Sequence, residues 1–161
     1  AIHEGFTMLQ TGVHAPDFTL PDADMVPLKL SSLKGKNVVL YFYPKDDTPS
    51  CTLESIEFSD LEEEFAKFDT VILGISRDDC MSHANFRDKH GLALQLLADV
   101  EGRVCEKYGV WQEKEKDGVR KMGIVRSTFV IDKTSTVRHA LYGITAHGHA
   151  AETLQLIKDL A

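Results

Sequence analysis

The sequence predicts an α/β protein with a mixed central β-sheet flanked by helices and an N-terminal strand pair. Three observations lead there. Val38-Val39-Leu40-Tyr41-Phe42-Tyr43 and Val71-Ile72-Leu73-Gly74-Ile75 are continuous apolar runs rich in β-branched and aromatic residues, as in strands covered on both faces. Each is followed by a stretch with apolar residues at helical spacing. The chain then closes on two more strand-like runs and an amphipathic segment. At 161 residues it suits a single domain, expected over 8–161. Met8 is a candidate natural start, which makes residues 1–7 an extension or a cloning remnant.

In chain order, Asp17-Phe18-Thr19-Leu20 and Val26 to Leu30 are short, proline-flanked segments that suit an edge strand pair. A turn at Leu33 to Asn37 leads into the 38–43 strand. From Thr52 to Phe68, Leu53, Ile56, Leu61, Phe65 and Phe68 interleave with acids, predicting one helix whose Glu62-Glu63-Glu64 run is a solvated face. After the 71–75 strand, Ser76-Arg77-Asp78-Asp79 offers N-cap chemistry for a helix through Met81, Ala84, Phe86 and Lys89, closed by Gly91. Leu94 to Leu97 and a short helix over Gly102 to Tyr108 follow. The charged stretch Gln112 to Gly118 reads as a hairpin or loop. Ser127 to Asp132 and Thr136 to Tyr142 form two strands around a Lys133-Thr134-Ser135 turn, and the last helix runs from about His149 to Leu160. Alternating strands and helices with a closing hairpin and helix best match a thioredoxin-like arrangement.

Eighteen basic against twenty-five acidic side chains give a net charge of −7, with no Lys/Arg cluster long enough to track a phosphate backbone, so nucleic acid is not expected as a partner. The apolar runs are far shorter than the roughly 20 residues of a membrane-spanning helix, so no membrane association is expected either. Three scattered cysteines argue against a disulfide framework and for a reducing, cytoplasmic setting. Ala1 to Thr7 lack the features of a secretory signal.

Chemistry concentrates where the 38–43 strand stops at Pro44 and delivers Cys51 to a helix start. Unpartnered N–H groups and aligned dipoles in a first helical turn favour a thiolate, the reactive form of cysteine. Thr48, three residues earlier, is placed to bring its hydroxyl beside the sulfur or a bound oxygen. Pro44 and Pro49 stiffen the loop and shape a small pocket. Cys105 reads as packing. Histidines 83, 90, 139, 147 and 149 lack metal-site spacing and read as surface imidazoles.

Pro44-x-x-x-Thr48-x-x-Cys51 resembles the peroxiredoxin active-site signature, and its setting from Tyr41 to Glu54 is similar to that of the bacterioferritin-comigratory, or Q-type, subgroup. The resemblance covers nearly the whole chain after Gly12, including Ala15 to Asp22 and Arg126-Ser127-Thr128-Phe129-Val130-Ile131-Asp132. It implies a thiol-dependent peroxidase for hydrogen peroxide and small alkyl hydroperoxides, with Cys51 as the peroxidatic cysteine passing through a sulfenic acid. It further implies that Pro44, Thr48 and Arg126 complete the pocket, that thioredoxin or a small-molecule thiol is the reductant, that no cofactor or metal is needed, and that the protein is a monomer. Arg126 is drawn from the resemblance alone.

The subgroup's resolving-cysteine positions are occupied here by Ile56 and Arg87. Cys80 is the remaining candidate. It shares a helix face with Arg87 but lies about 10 Å away along the axis, so a Cys51–Cys80 disulfide requires local unfolding around Cys51. The alternative is a one-cysteine cycle in which an external thiol attacks the sulfenic acid. Two other functions compete: a thioredoxin-type thiol–disulfide oxidoreductase, disfavoured by Glu54 in place of a second cysteine and by the absence of any proline after Pro49, and a non-enzymatic binding or chaperone module.

Overall fold

The computed structural model describes residues 8–161; residues 1–7, read above as an extension or remnant, lie outside the described residues. The chain runs through β1 (Thr19–Pro21), β2 (Pro27–Lys29), a 3-10 turn (Leu30–Leu33), β3 (Asn37–Phe42), α1 (Pro49–Asp60), α2 (Glu62–Ala66), β4 (Thr70–Ser76), α3 (Cys80–His90), β5 (Gln95–Ala98) and α4 (Arg103–Lys107). It continues with β6 (Trp111–Lys116), β7 (Val119–Ile124), β8 (Ser127–Ile131), β9 (Val137–Tyr142) and α5 (His149–Leu160). The central sheet has the order β5-β4-β3-β8-β9; β3 is parallel to β4 and antiparallel to β8, which makes the sheet mixed and the fold thioredoxin-like. β1 and β2 form the expected antiparallel pair.

β3 is buried at every position, as its unbroken apolar run requires. Its alternation divides the core. Leu40 and Phe42 face a layer with Val104, Tyr108 and Phe129, whereas Val39, Tyr41 and Tyr43 face a layer with Phe58, Phe65, Phe86 and Ile157. Tyr41 lies opposite Gly74 of β4, where a Cβ would come within 2.6 Å of the Tyr41 ring. With no side chain there, the ring stacks on Phe58 at 4.7 Å and its hydroxyl meets Ser55 Oγ at 2.9 Å. Both partners are on α1. This fixes the helix that carries Cys51 over the end of β3.

Two boundaries differ from expectation. The helix expected over 52–68 begins earlier, because Pro49 is suited to a first helical position, and it breaks at Leu61 (φ −101°, ψ 3°). The break lets Phe58 and Phe65, 6.1 Å apart, both enter the core. The charged insert is a longer hairpin than 112–118. Its register runs from Trp111↔Ile124 to Lys116↔Val119 around Asp117-Gly118, both at positive φ, the turn that Asp-Gly favours. At α3, Asp79 caps Ser82 N at 2.8 Å and Gly91 closes the helix in the left-handed region, as the sequence predicts.

Candidate active site

β3 ends at Phe42, and the chain turns through Asp47 (φ 60°) to Thr48, whose extended backbone makes it the N-cap of α1. Pro49 is the first helical residue and Cys51 the third, so the thiol sits in the first turn, where backbone N–H groups lack helical partners. Thr48 donates its hydroxyl proton to the Lys45 carbonyl at 2.8 Å rather than to Sγ. That bond tightens the loop and leaves the oxygen's lone pairs for an incoming O–H.

Arg126 immediately precedes β8, and Phe42↔Ser127 is the last pair of the β3–β8 ladder, so the guanidinium arises beside the end of β3. Nη2 donates to Cys51 Sγ at 3.3 Å while Nη1 donates to Glu54 Oε1 at 2.6 Å. The planar fork of Arg126 spans two groups that α1 presents three residues apart on one face. Glu54 is fully buried, and its Oε2 has no hydrogen-bond partner among the described residues. Burial pushes the Glu54 carboxyl up to about 7, against the pull of Arg126. Burial works to lower Arg126, but Glu54 and Cys51 more than offset it and hold the guanidinium up. Glu54 was missed by sequence reasoning, although Cys51-x-x-Glu54 spacing puts the carboxyl on the helix face of the sulfur.

The pocket is tighter than the sequence suggests. Cys51 is only 1% exposed, and the Arg126 side chain, at 14%, forms part of its cover. A groove of about 1030 Å³ opens between the Pro44-Lys45 loop, which leads to α1, and the β6–β7 hairpin. Trp111 walls this groove, with the Arg77 guanidinium 4.5 Å above its ring.

Cys80 is the first residue of α3, partly exposed, and all three cysteines are free thiols. Burial, then the negative charges of Asp79 and Asp22, raise the Cys80 thiol. Asp22 is bridged to Leu97 of β5, so Cys80 belongs to the β5 edge of the sheet, whereas Cys51 meets the residue preceding β8. Cys105 is buried, and burial and Asp99 drive its thiol strongly upward, in keeping with a packing role.

Two histidines expected at the surface are buried. His83 Nδ1 contacts Asp46 Oδ2 at 2.7 Å and Nε2 contacts the Leu97 carbonyl at 2.8 Å; Tyr43 and Ser82 also donate to Asp46. His149 Nε2 meets Thr128 Oγ1 at 2.8 Å. Both sit where polar partners satisfy them inside the core, a possibility that isolated histidines in a sequence do not reveal.

A model of the AhpC/TSA family matches residues 11–140. The chain is 43% identical over 153 residues to Peroxiredoxin Bcp of Bacillus subtilis, covering 95% of this chain and 98% of that one. Peroxiredoxin Bcp of Escherichia coli is 36% identical with the same coverage. Among solved structures, Xylella fastidiosa PrxQ, in a cysteine-to-serine form, superposes with a TM-score of 0.91 at 32% identity, over 96% of this chain and 98% of that one. A Xanthomonas campestris bacterioferritin comigratory protein, studied for alkyl peroxide reduction, gives a TM-score of 0.85 at 36% identity, over 89% and 91%.

Proposed function

The chain belongs to the AhpC/TSA family as a peroxiredoxin of the bacterioferritin-comigratory type, a thiol-dependent peroxidase, and from that premise we propose that Cys51 is its peroxidatic cysteine. The observation that supports this most is the Arg126 Nη2 to Sγ contact of 3.3 Å at the first turn of α1. In the proposed reaction the Cys51 thiolate attacks one oxygen of a hydroperoxide. The O–O bond breaks, the sulfur becomes a sulfenic acid, and the other oxygen takes a proton and leaves as water or alcohol. Arg126 meets the negative charge that passes from sulfur to the leaving oxygen, and Thr48 accepts the peroxide O–H. Pro44 narrows the approach. Because the sulfur is nearly sealed, entry requires a small opening of the loop or the hairpin, which favours hydrogen peroxide and small alkyl hydroperoxides.

For the return to thiolate, we favour direct attack of an external thiol, small or thioredoxin-borne, on the sulfenic acid, with water released and the mixed disulfide then reduced by a second thiol. A second reading uses Cys80. Asp46, in the loop before Cys51, is bonded to Ser82 and His83 in the first turn of α3, so that turn lies against the peroxidatic loop. Disulfide formation then requires the start of α1 to unwind. Three free thiols suit a cytoplasmic setting, and we read the protein as a monomer. No helix among the described residues is long and apolar enough to cross a bilayer.

Intact mass after one equivalent of hydrogen peroxide, without reductant, tests these assignments. Gain of one oxygen in the parent protein and in Cys80→Ser, and none in Cys51→Ser, is the expected result. Oxidation that survives Cys51→Ser places the chemistry elsewhere, and loss of two hydrogens that disappears in Cys80→Ser selects the disulfide route.

A further inference from the structure

We propose that Lys114 is a second fixed cation of the peroxidatic site, a positioning residue held by the β6–β7 hairpin that favours the Cys51 thiolate together with Arg126. The proposal rests on Cys51 being the peroxidatic thiol. Lys114 is an exposed hairpin residue, yet its side chain is not left to solvent: Nζ donates to the Ile124 carbonyl at 2.8 Å. Ile124 is two residues from Arg126, so the ammonium is fastened to the same backbone that aims the guanidinium at Sγ.

The hairpin's register explains how it gets there. Lys114 pairs with Lys121, and its stem crosses the neighbouring strand over Gly123, where an added Cβ would lie 3.0 Å from Lys114 Cδ. The missing side chain at 123 leaves the track along which the lysine reaches Ile124. The same residue lines the groove together with Pro44.

Charge points the same way. The chain carries −7 overall, but Lys45, Lys114, Lys116, Lys121 and Arg77 surround this groove against a single acid, Asp117. Arg126 donates to the sulfur and to Glu54, the Cys51 charge acts on Tyr41, Glu57 acts on Glu54, and Arg126 acts on His149. Burial and then Arg126 pull Lys114 down, while the Cys51 charge opposes them; the geometric tie to the site is the Ile124 carbonyl, two residues from Arg126, and the groove wall that the lysine shares with Pro44. A cation held in place near an anion in a partly desolvated site acts more strongly than a mobile surface charge.

The experiment follows the rate of Cys51 oxidation by hydrogen peroxide against pH in the parent, Lys114→Met, Lys114→Arg and Gly123→Ala proteins, with circular dichroism to confirm folding. Lys114→Met is expected to move the rate midpoint to higher pH, slowing oxidation about three- to tenfold below it and leaving the high-pH plateau intact. Lys114→Arg should restore most of the shift. Gly123→Ala, which keeps the lysine but crowds its path, should show part of it. An unmoved midpoint in Lys114→Met, or a lower plateau without a shift, overturns the proposal. Absence of oxygen addition at Cys51 in the parent overturns both this proposal and the reading beneath it.

Discussion

Among the helices that carry a cysteine in their first turn, α1 and α3 contrast in their surroundings, while the third, the five-residue α4, buries Cys105 completely. Cys51 is the third residue of α1 and Cys80 the first of α3; each follows a strand of the central sheet, and each lies in a first turn where backbone dipoles favour an anion. At Cys51 the facing group is a guanidinium 3.3 Å from sulfur. At Cys80 burial, and then the neighbouring charges of Asp79 and Asp22, raise the thiol. A helix N-terminus therefore permits thiolate chemistry without deciding it. What the tertiary fold adds differs between the two sites: burial and two acids at Cys80, and a guanidinium in contact with the sulfur at Cys51.

The strongest way to break this contrast is to remove that cation. Arg126→Ala is expected to slow peroxide oxidation of Cys51 by about a hundredfold, the scale of losing one aimed donor at developing charge. Glu54 would then be buried without its partner, so the substitution is best made with Glu54→Gln, which removes the orphaned charge. Stopped-flow oxidation kinetics of the pair, compared with Glu54→Gln alone, isolates the arginine. Equal rates would remove Arg126 as a cause of Cys51 reactivity and leave the α1 dipole and Lys114 to account for it.

The fold was largely legible. The runs at 38–43 and 71–75 appear as β3 and β4, Asp79 and Gly91 cap and close α3, and Asp117-Gly118 turns a hairpin, because each depends on local periodicity or turn chemistry. At the candidate site, the loop from Pro44 to Cys51 was legible for the same reason. Arg126 was not, since it is 75 positions from Cys51 in the chain and arrives only through the β3–β8 pairing; a family resemblance supplied it. Glu54 lies one turn from the sulfur, but its role depends on that same arginine. Buried His83 depends on Asp46, 37 positions away. What the sequence hid was partnership across the sheet.

A smaller effect sharpens the picture of the Cys51 side. The Glu54 carboxyl is raised to about 7 from its ordinary 4.5, with burial the largest cause. Between those pH values the folded protein holds a proton that the unfolded chain has released. The folded state therefore loses stability as pH rises through this window, by about 3 kcal/mol at most when the shift of 2.5 (7 less 4.5) is converted. Glu54→Gln should flatten this decline. Urea unfolding at pH 5 and pH 8 checks it: the parent should be less stable at pH 8 relative to the variant than at pH 5, and parallel behaviour would mean that Arg126 keeps the carboxylate ionised throughout.

The least effect is expected at the other helix start. Asp79 caps α3 through its side-chain oxygen, and asparagine caps as well as aspartate, so Asp79→Asn removes the charge beside Cys80 while preserving the helix. Burial is the larger cause of the raised Cys80 thiol and remains in the variant, as does Asp22. Alkylation of Cys80 by iodoacetamide near neutral pH, measured in a Cys51→Ser background, should therefore quicken only about two- to threefold. A much larger gain would show that charge, not burial, keeps this thiol quiet. No gain would mean that solvent screens Asp79 at this exposed turn, leaving the absence of a cation as the difference that separates Cys80 from Cys51.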